Sequence, residues 1–140
     1  MEFHWKLVMP SHPRFLAVVR AAVSELSSTY GLPEEQCRGI TLAVDEALAN
    51  IIRHAYKNRY DQEIEVYCQA GANRIEFRLV DRGEPADLAK ICAAPMDAET
   101  LSGRGTHMIR SIMDEVCYEQ VPGGNQLRLS KHLPADVLPE

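Results

Sequence analysis

The fold of this protein is decided by residues 45–56, which read DEALANIIRHAY and directly follow CRGITLAV at residues 37–44. Apolar residues recur in this stretch at helical spacing and lie within a narrow arc of a helical wheel, which predicts a helix with one buried face. That arc contains Ile40, Ala43, Val44, Ala47 and Ile51. The helix is expected to begin at Pro33 and to run to about His54 or Tyr56.

Three polar residues, Glu46, Asn50 and His54, recur every four positions along the flank of the apolar face. A carboxylate one turn away from a carboxamide has the chemistry to accept a proton and to give an oxygen ligand to Mg²⁺. Polar residues at this spacing are also common on solvated helix surfaces. The spacing alone therefore leaves two interpretations open, a catalytic pair or a hydrated helix flank.

The segments on both sides of this helix predict a sheet with a helical cover. Upstream, Phe3 to Met9 predicts a short edge strand that stops at Pro10, and a helix follows to about Tyr30. Downstream, alternating apolar residues predict two strand pairs with a short helix between them. These elements are Glu63 to Ala70 with Arg74 to Val80, a helix from about Arg104 to Met113, and Val116 to Val121 with Gln126 to His132.

We therefore expect an α/β fold, a two-layer sandwich whose mixed or antiparallel sheet carries helices on one face. With 140 residues and no linker or repeat, the sequence predicts one domain spanning 1–140. A net charge of −5 disfavours direct nucleic-acid binding. No apolar run is long enough to cross a bilayer, so we expect no membrane insertion and a cytoplasmic location.

Two further segments have residues suited to nucleotide binding. Asp81, Arg82 and Gly83 come at the end of an apolar strand, where an aspartate can accept a hydrogen bond from a ligand and a glycine leaves room for close approach. The same residues also make ordinary turns. Gly103 and Gly105 flank Arg104 directly before the predicted helix, where free N–H groups can bind phosphate, although ligand-free helix starts are equally rich in glycine.

The order and spacing of these segments resemble the N box, first glycine box and second glycine box of the Bergerat ATP-binding fold. This fold defines the GHKL superfamily, which includes DNA gyrase B, sensor histidine kinases and a heat-shock chaperone. Within it, the N box of residues 45–56 and the second box, Gly103-Arg104-Gly105 with Met108-Ile109, are most similar to the anti-sigma-factor serine kinases. The chain has no G-x-x-x-x-G-K-[ST] motif, so a Walker-type site is excluded.

The resemblance implies a role for each motif residue. Glu46 would be the general base, Asn50 would hold Mg²⁺ through its side-chain oxygen, and Asp81 would bind the adenine amino group of ATP. Gly83 would allow the adenine ring to approach the backbone closely. The phosphates would be wrapped by Gly103, Arg104 and Gly105, with Thr106 either adding a hydroxyl or capping the helix, and Glu84 to Ser102 would form the ATP lid.

The resemblance also implies partners. Members of this family transfer the γ-phosphate of ATP to a serine of an anti-anti-sigma factor with the STAS fold, and they sequester a sigma factor or a comparable regulator. They commonly form homodimers, and the apolar strand Phe3 to Met9 is compatible with such an interface. The residues that follow Gly105 depart from the pattern, because Thr106 and His107 replace a common leucine.

Another departure lies in the first glycine box, where Pro85 replaces a frequent second glycine. Proline fixes φ and removes an N–H group, which predicts a stiffer lid hinge and a missing backbone contact. An alternative function is therefore an ATP-binding module that regulates by sequestering partners, without efficient kinase activity.

Overall fold

The computed structural model of the protein describes residues 3–86 and 101–134, with the side chains of the second range described from residue 107 onward. Its five strands are β1 (Phe3–Pro10), β2 (Glu63–Ala70), β3 (Arg74–Asp81), β4 (Glu115–Val121) and β5 (Gly124–His132). Its three α-helices are α1 (Leu16–Thr29), α2 (Glu34–Asn50) and α3 (Leu101–Ile112). A 3₁₀ turn (Pro13–Phe15) precedes α1, and a π-helical turn (Ile51–Ala55) continues α2.

The five strands form one sheet in the order β1-β2-β3-β5-β4, and every neighbouring pair is antiparallel. β1 lies at an edge, as predicted. The pairing of β3 with β5 places Asp81 opposite Asn125, two residues that are distant in the sequence. The predicted sandwich is confirmed, and its sheet is antiparallel throughout the described strands.

The core lies between one face of the sheet and the helices. In β3, Ile75, Phe77 and Leu79 are completely buried and alternate with charged residues of the opposite face, because successive side chains of a strand point to opposite sides. α2 packs against both α1 and α3 and contributes the largest helical share of the core. Its fully buried side chains include Ile40, Ala43 and Val44, which the wheel predicted. This burial fixes the rotation of α2 and hence the direction of its polar flank.

The long helix does not continue in α-helical form to Tyr56, although its sequence predicts this. The α-helix ends at Asn50, and residues 51–55 form a π-helical turn in which the N–H of Tyr56 donates to the carbonyl of Ile51 at 3.0 Å. Lys57 and Asn58 then have φ of 51° and 60° and turn the chain toward β2. The wider π turn rotates the residues after Asn50 away from the α-helical register, and π turns often occur at functional sites. His54 is consequently exposed rather than continuing the polar flank toward the core.

The predicted start of α3 near Arg104 is wrong, because the helix begins at Leu101. Gly103, Arg104 and Gly105 therefore lie inside the first turns of α3, not before it. The two glycines weaken a helix by about 1 kcal/mol each, a local preference that the tertiary context of the helix can override. At the other end of α3, Lys131 Nζ donates to the carbonyl of Ile112 at 2.7 Å, where a cation complements the helix dipole. Within the described residues, no helix is long and apolar enough to span a membrane.

Candidate functional site

Sequence-predicted residues meet where the end of β3, the start of β5 and the π turn after α2 come together. Asp81 is only 4% exposed, and its Oδ1 accepts hydrogen bonds from Asn125 Nδ2 and from the N–H of Gly83, both at 2.9 Å. Asn125 Nδ2 also lies 3.0 Å from the carbonyl oxygen of Gly83. A buried carboxylate is thus held in one orientation by two strands and the turn between β3 and the lid segment.

Burial raises the pKa of Asp81 above its ordinary value, because a charged carboxylate is less well solvated in the protein than in water. The hydrogen bonds from Asn125 and Gly83 and the charge of Arg82 act in the opposite direction. The arrangement therefore keeps a carboxylate in a mainly apolar setting, where a hydrogen bond to a ligand is stronger than in water.

Gly83 is required by the fold itself. A Cβ atom at this position would lie 2.6 Å from the carbonyl carbon of Ala55, and the N–H of Glu84 donates to the carbonyl of Ala55 at 2.9 Å. The space beside Gly83 is filled by the backbone of the π turn, so the glycine permits close approach of two chain segments. The sequence predicts that Gly83 leaves room for a ligand, whereas the segment that approaches it in the structure is the backbone of Ala55.

Tyr56 fixes the same turn from the other side. Its buried hydroxyl accepts a hydrogen bond from the N–H of Arg82 at 2.8 Å and donates to the carbonyl of Glu63 at 2.5 Å. An exposed ion pair of 3.1 Å between Lys57 and Glu84 joins the segment after the π turn to the start of the lid segment. The position of Asp81 relative to α2 is therefore set by several independent contacts.

The residues on either side of Pro85 are both anchored through their N–H groups. The N–H of Glu84 donates to the carbonyl of Ala55 at 2.9 Å, and the N–H of Ala86 donates to the hydroxyl of Tyr118 at 2.7 Å. Pro85 therefore leaves both of these flanking anchors intact.

The second group of predicted residues lies on the flank of α2. Arg53 Nη2 donates to Asn50 Oδ1 at 2.6 Å and lies 3.5 Å from Glu46 Oε1. The side chain of Glu46 is 29% exposed and that of Arg53 is 51% exposed. Glu46 and Asn50 thus face the same side of the helix and are accessible to a ligand, an arrangement that fits both the catalytic pair and the hydrated flank.

The side-chain oxygens on this flank suit Mg²⁺ that is also bound by phosphate and water. They are too few for a metal site whose ligands are all protein side chains. Within the part of the chain that the structure describes, no cluster of three or more His, Cys, Asp or Glu side chains is suited to a metal ion. Mg²⁺ is typically bound through one or two protein oxygens together with phosphate oxygens and water. Asn50 Oδ1 and the carboxylate of Glu46 supply oxygens of that kind.

The matching protein family is the histidine kinase-like ATPase domain, whose profile covers residues 9–131. The chain belongs to this family. It is 31% identical over 118 residues to the serine-protein kinase RsbW of Listeria innocua, with 79% of this chain and 75% of the relative aligned. The serine-protein kinase RsbW of Oceanobacillus iheyensis is 29% identical over 119 residues, at the same coverages of 79% and 75%.

Solved structures show the same fold. The RsbU and RsbW domains of a Mycobacterium tuberculosis protein match 95% of this chain and 34% of that chain, with a TM-score of 0.68 and 20% identity. A blue-light activated histidine kinase domain from Erythrobacter litoralis matches with a TM-score of 0.59 and 17% identity. The predicted fold and the predicted relation to the serine-protein kinases of the GHKL superfamily are confirmed. These relatives support protein-serine kinase activity, and membership of an ATPase domain family implies ATP binding.

This histidine kinase-like ATPase domain contains two site residues that sequence reasoning missed. Asn125 is 2% exposed and orients Asp81, yet in the sequence it follows two glycines and indicates only a turn. Only strand register places it opposite Asp81. Arg53 stands three positions after Asn50 and seven after Glu46, close to whole helical turns, but the π turn that sets its final direction has no sequence signature.

Other predicted positions lie partly or wholly outside the described residues. Of the predicted lid, residues 87–100 are outside them. The backbone of residues 103–106 is helical, whereas the side chains of Arg104 and Thr106 are outside the described set. The N–H groups that have no partner within an α-helix are those of its first turn, so Gly103 lies at the end of that free set and Arg104 and Gly105 fall within the helical hydrogen-bond pattern.

Replacing Asp81 by Asn is expected to stabilise the ligand-free protein at neutral pH while weakening ATP binding, because the amide avoids the cost of a buried charge. The folded state holds the Asp81 proton more tightly than the unfolded chain does, in which the pKa of the carboxyl is close to its ordinary value of 3.8. Ionisation of Asp81 therefore costs stability as the pH rises from that value through the folded pKa, and the cost persists above it.

The measurement is the melting temperature of both proteins from pH 3 to pH 8. The advantage of Asp81→Asn should be largest at pH 7 and should vanish toward the acidic end, where both proteins carry a neutral side chain. An advantage that grew as the pH fell would contradict the raised pKa.

Proposed function

We propose that this protein is an ATP-dependent protein-serine kinase that phosphorylates a serine of a STAS-domain anti-anti-sigma antagonist and sequesters a sigma factor or an equivalent regulator. The observation that carries the proposal is the position of Glu46 and Asn50 on one solvent-accessible flank of α2, together with a buried Asp81 at the end of β3, where the following turn packs against the π turn after α2. Glu46 would supply the general base, Asn50 a metal ligand and Asp81 a hydrogen-bond acceptor for the nucleotide.

In this mechanism Asp81 orients ATP by accepting a hydrogen bond from the adenine amino group. Both described hydrogen bonds to the Asp81 carboxylate end on Oδ1, so Oδ2 is the oxygen that would face the adenine ring of ATP. Gly83 and Tyr56 act indirectly, by fixing the turn that presents Asp81. Gly103, Arg104, Gly105 and Thr106 would lie along the phosphates, with backbone N–H groups at the start of α3 as donors.

Glu46 is proposed as the general base. It would accept the proton of the partner's serine hydroxyl while that oxygen bonds to the γ-phosphorus, and the bond from phosphorus to the leaving ADP oxygen breaks. Asn50 would hold Mg²⁺ through Oδ1, and the metal would neutralise the charge of the phosphate oxygens. Since phosphoryl transfer depends mainly on positioning and charge neutralisation, a small number of well-placed groups is sufficient.

The test is incubation of the purified protein with γ-labelled ATP, Mg²⁺ and the STAS-domain proteins of its own genome. We expect label on a serine of one STAS protein and loss of that label with Asn50→Ala. Arg38→Ala is the matched control, because Arg38 pairs with Glu34 at the exposed far end of the same helix.

The second candidate function, a partner-switching module without efficient kinase activity, rests on Pro85. The neighbours of Pro85 keep their N–H hydrogen bonds, so the argument for this module is the fixed φ of proline in the lid hinge. ATP binding without label transfer to any STAS protein would nevertheless favour this module over the kinase.

Homodimer formation through β1 is part of the proposal. No strand in the described ranges pairs with the outer edge of β1, and two of its large apolar residues, Trp5 and Val8, are 54% and 51% exposed. An unpaired edge strand with apolar side chains is suited to pairing with a second chain. Sedimentation equilibrium at micromolar concentration should give twice the mass of one chain, and a monomer mass would contradict the dimer.

A further inference from the structure

Arg53 occupies the place between the two side chains that the proposed function assigns to catalysis and metal binding. One nitrogen, Nη2, lies 2.6 Å from Asn50 Oδ1 and 3.5 Å from Glu46 Oε1. The oxygen atoms offered to a divalent cation are therefore already in contact with a cation of the protein.

We propose that Arg53 is a positioning residue that substitutes for the metal while the site holds no nucleotide, and that Mg²⁺ must displace it when ATP binds. This inference rests on the proposed function, because it takes Asn50 as the metal ligand. In the ligand-free state the guanidinium keeps Glu46 and Asn50 turned toward one point. Metal binding then exchanges the single positive charge of the guanidinium for the double charge of Mg²⁺ without reorganising the two side chains.

Arg53 contacts the proposed metal ligand at the shorter of its two distances, 2.6 Å from Asn50 Oδ1 against 3.5 Å from Glu46 Oε1. The side chain of Arg53 is half exposed, and contacts between exposed groups contribute little net free energy, because water replaces the partner when the contact breaks. Mg²⁺ can therefore displace Arg53 at a small cost. Arg53 also lies in the π turn rather than in α2, at the point where the helix register changes.

A second arginine provides a matched comparison. Arg20 on α1 pairs with Asp45 at 2.9 Å, and its side chain is 46% exposed, close to the value for Arg53. Asp45 directly precedes Glu46 in the sequence, yet the recorded partner of Arg20 is the Asp45 carboxylate and not Asn50 or Glu46. Removing Arg20 changes the net charge of the protein by the same amount as removing Arg53, but it leaves the contact between Arg53 and Asn50 intact.

The experiment measures ATP binding by isothermal titration calorimetry at a series of Mg²⁺ concentrations. Arg53→Ala and Arg53→Gln should each lower the Mg²⁺ concentration required for half-maximal ATP binding by roughly two- to fivefold, the factor that corresponds to an exposed ion pair. Arg53→Lys keeps the positive charge and should stay near the wild-type value. Arg20→Ala should also leave the Mg²⁺ requirement unchanged.

An unchanged Mg²⁺ requirement in Arg53→Ala and Arg53→Gln would overturn the inference, and so would an increased requirement, which would make Arg53 a contact of the bound phosphates. In both cases ATP would still bind, and the proposed function would stand. Absence of ATP binding by the wild-type protein at every Mg²⁺ concentration would overturn the proposed function and this inference together.

Discussion

Replacing Glu46 by Gln is expected to slow phosphoryl transfer to the STAS partner by roughly 10²- to 10⁴-fold, the usual contribution of a positioned general base. Glutamine has the shape of glutamate and keeps an oxygen that can accept a hydrogen bond from Arg53, 3.5 Å away in the wild-type protein. It cannot accept the serine proton. The fold and ATP binding should therefore persist while the chemical step is lost.

The measurement is the initial rate of label transfer at saturating ATP and partner, with ATP affinity determined in parallel by calorimetry. Glu34→Gln is the matched control, since it makes the same chemical change on the same helix more than three turns away, where the side chain is 87% exposed. We expect this control to retain full activity. A Glu46→Gln protein that transferred label at the wild-type rate would remove Glu46 from the role of base.

Replacing Gly83 by Ala is expected to destabilise the protein by roughly 1–3 kcal/mol, the range for overpacking a tight contact. The added Cβ would lie 2.6 Å from the carbonyl carbon of Ala55, and backbone atoms cannot rotate away as a flexible side chain can. Because the displaced turn carries Asp81, ATP affinity should fall as well. Gly124→Ala should act similarly, since its Cβ would collide with the carbonyl oxygen of Asp81.

Both effects are measured by urea unfolding and by ATP titration of the folded fraction. Gly39→Ala is the control, because its nearest contact would be Ile112 Cγ2 at 3.4 Å, an ordinary van der Waals separation. Gly39 lies inside α2, where alanine is favoured over glycine by about 1 kcal/mol, so this variant should be as stable as the wild type or more so. Equal stability of Gly83→Ala and Gly39→Ala would show that the turn relaxes around the added methyl group.

Much of the fold was predictable from local patterns. Apolar and charged residues alternate in Arg74 to Val80, which predicts a half-buried strand. Apolar residues recur with a 3.6-residue period around Ala47, which predicts a helix with one buried face. Each of these patterns depends only on which side of a single strand or helix faces the core. They also predicted that Glu46 and Asn50 share one flank of α2, because helical spacing fixes relative direction within an element.

Boundaries were less predictable than the elements. α3 begins at Leu101, before Gly103 and Gly105, because the packing of a helix against its neighbours outweighs the local cost of glycine. The change from α to π hydrogen bonding after Asn50 likewise has no sequence signature. It depends on how the end of α2 meets the turn after β3, where the Ala55 carbonyl accepts from Glu84.

The sequence by itself determined the classes of element, the buried face of α2, and the family of ATP-binding proteins to which the motifs belong. Only the tertiary structure decided how Asp81 is held, because Asn125 reaches it through the pairing of β3 with β5. It also decided that Gly83 faces the backbone of Ala55. Contacts within one helix follow from a fixed repeat, whereas contacts between strands and turns depend on register and on the packing of the whole core.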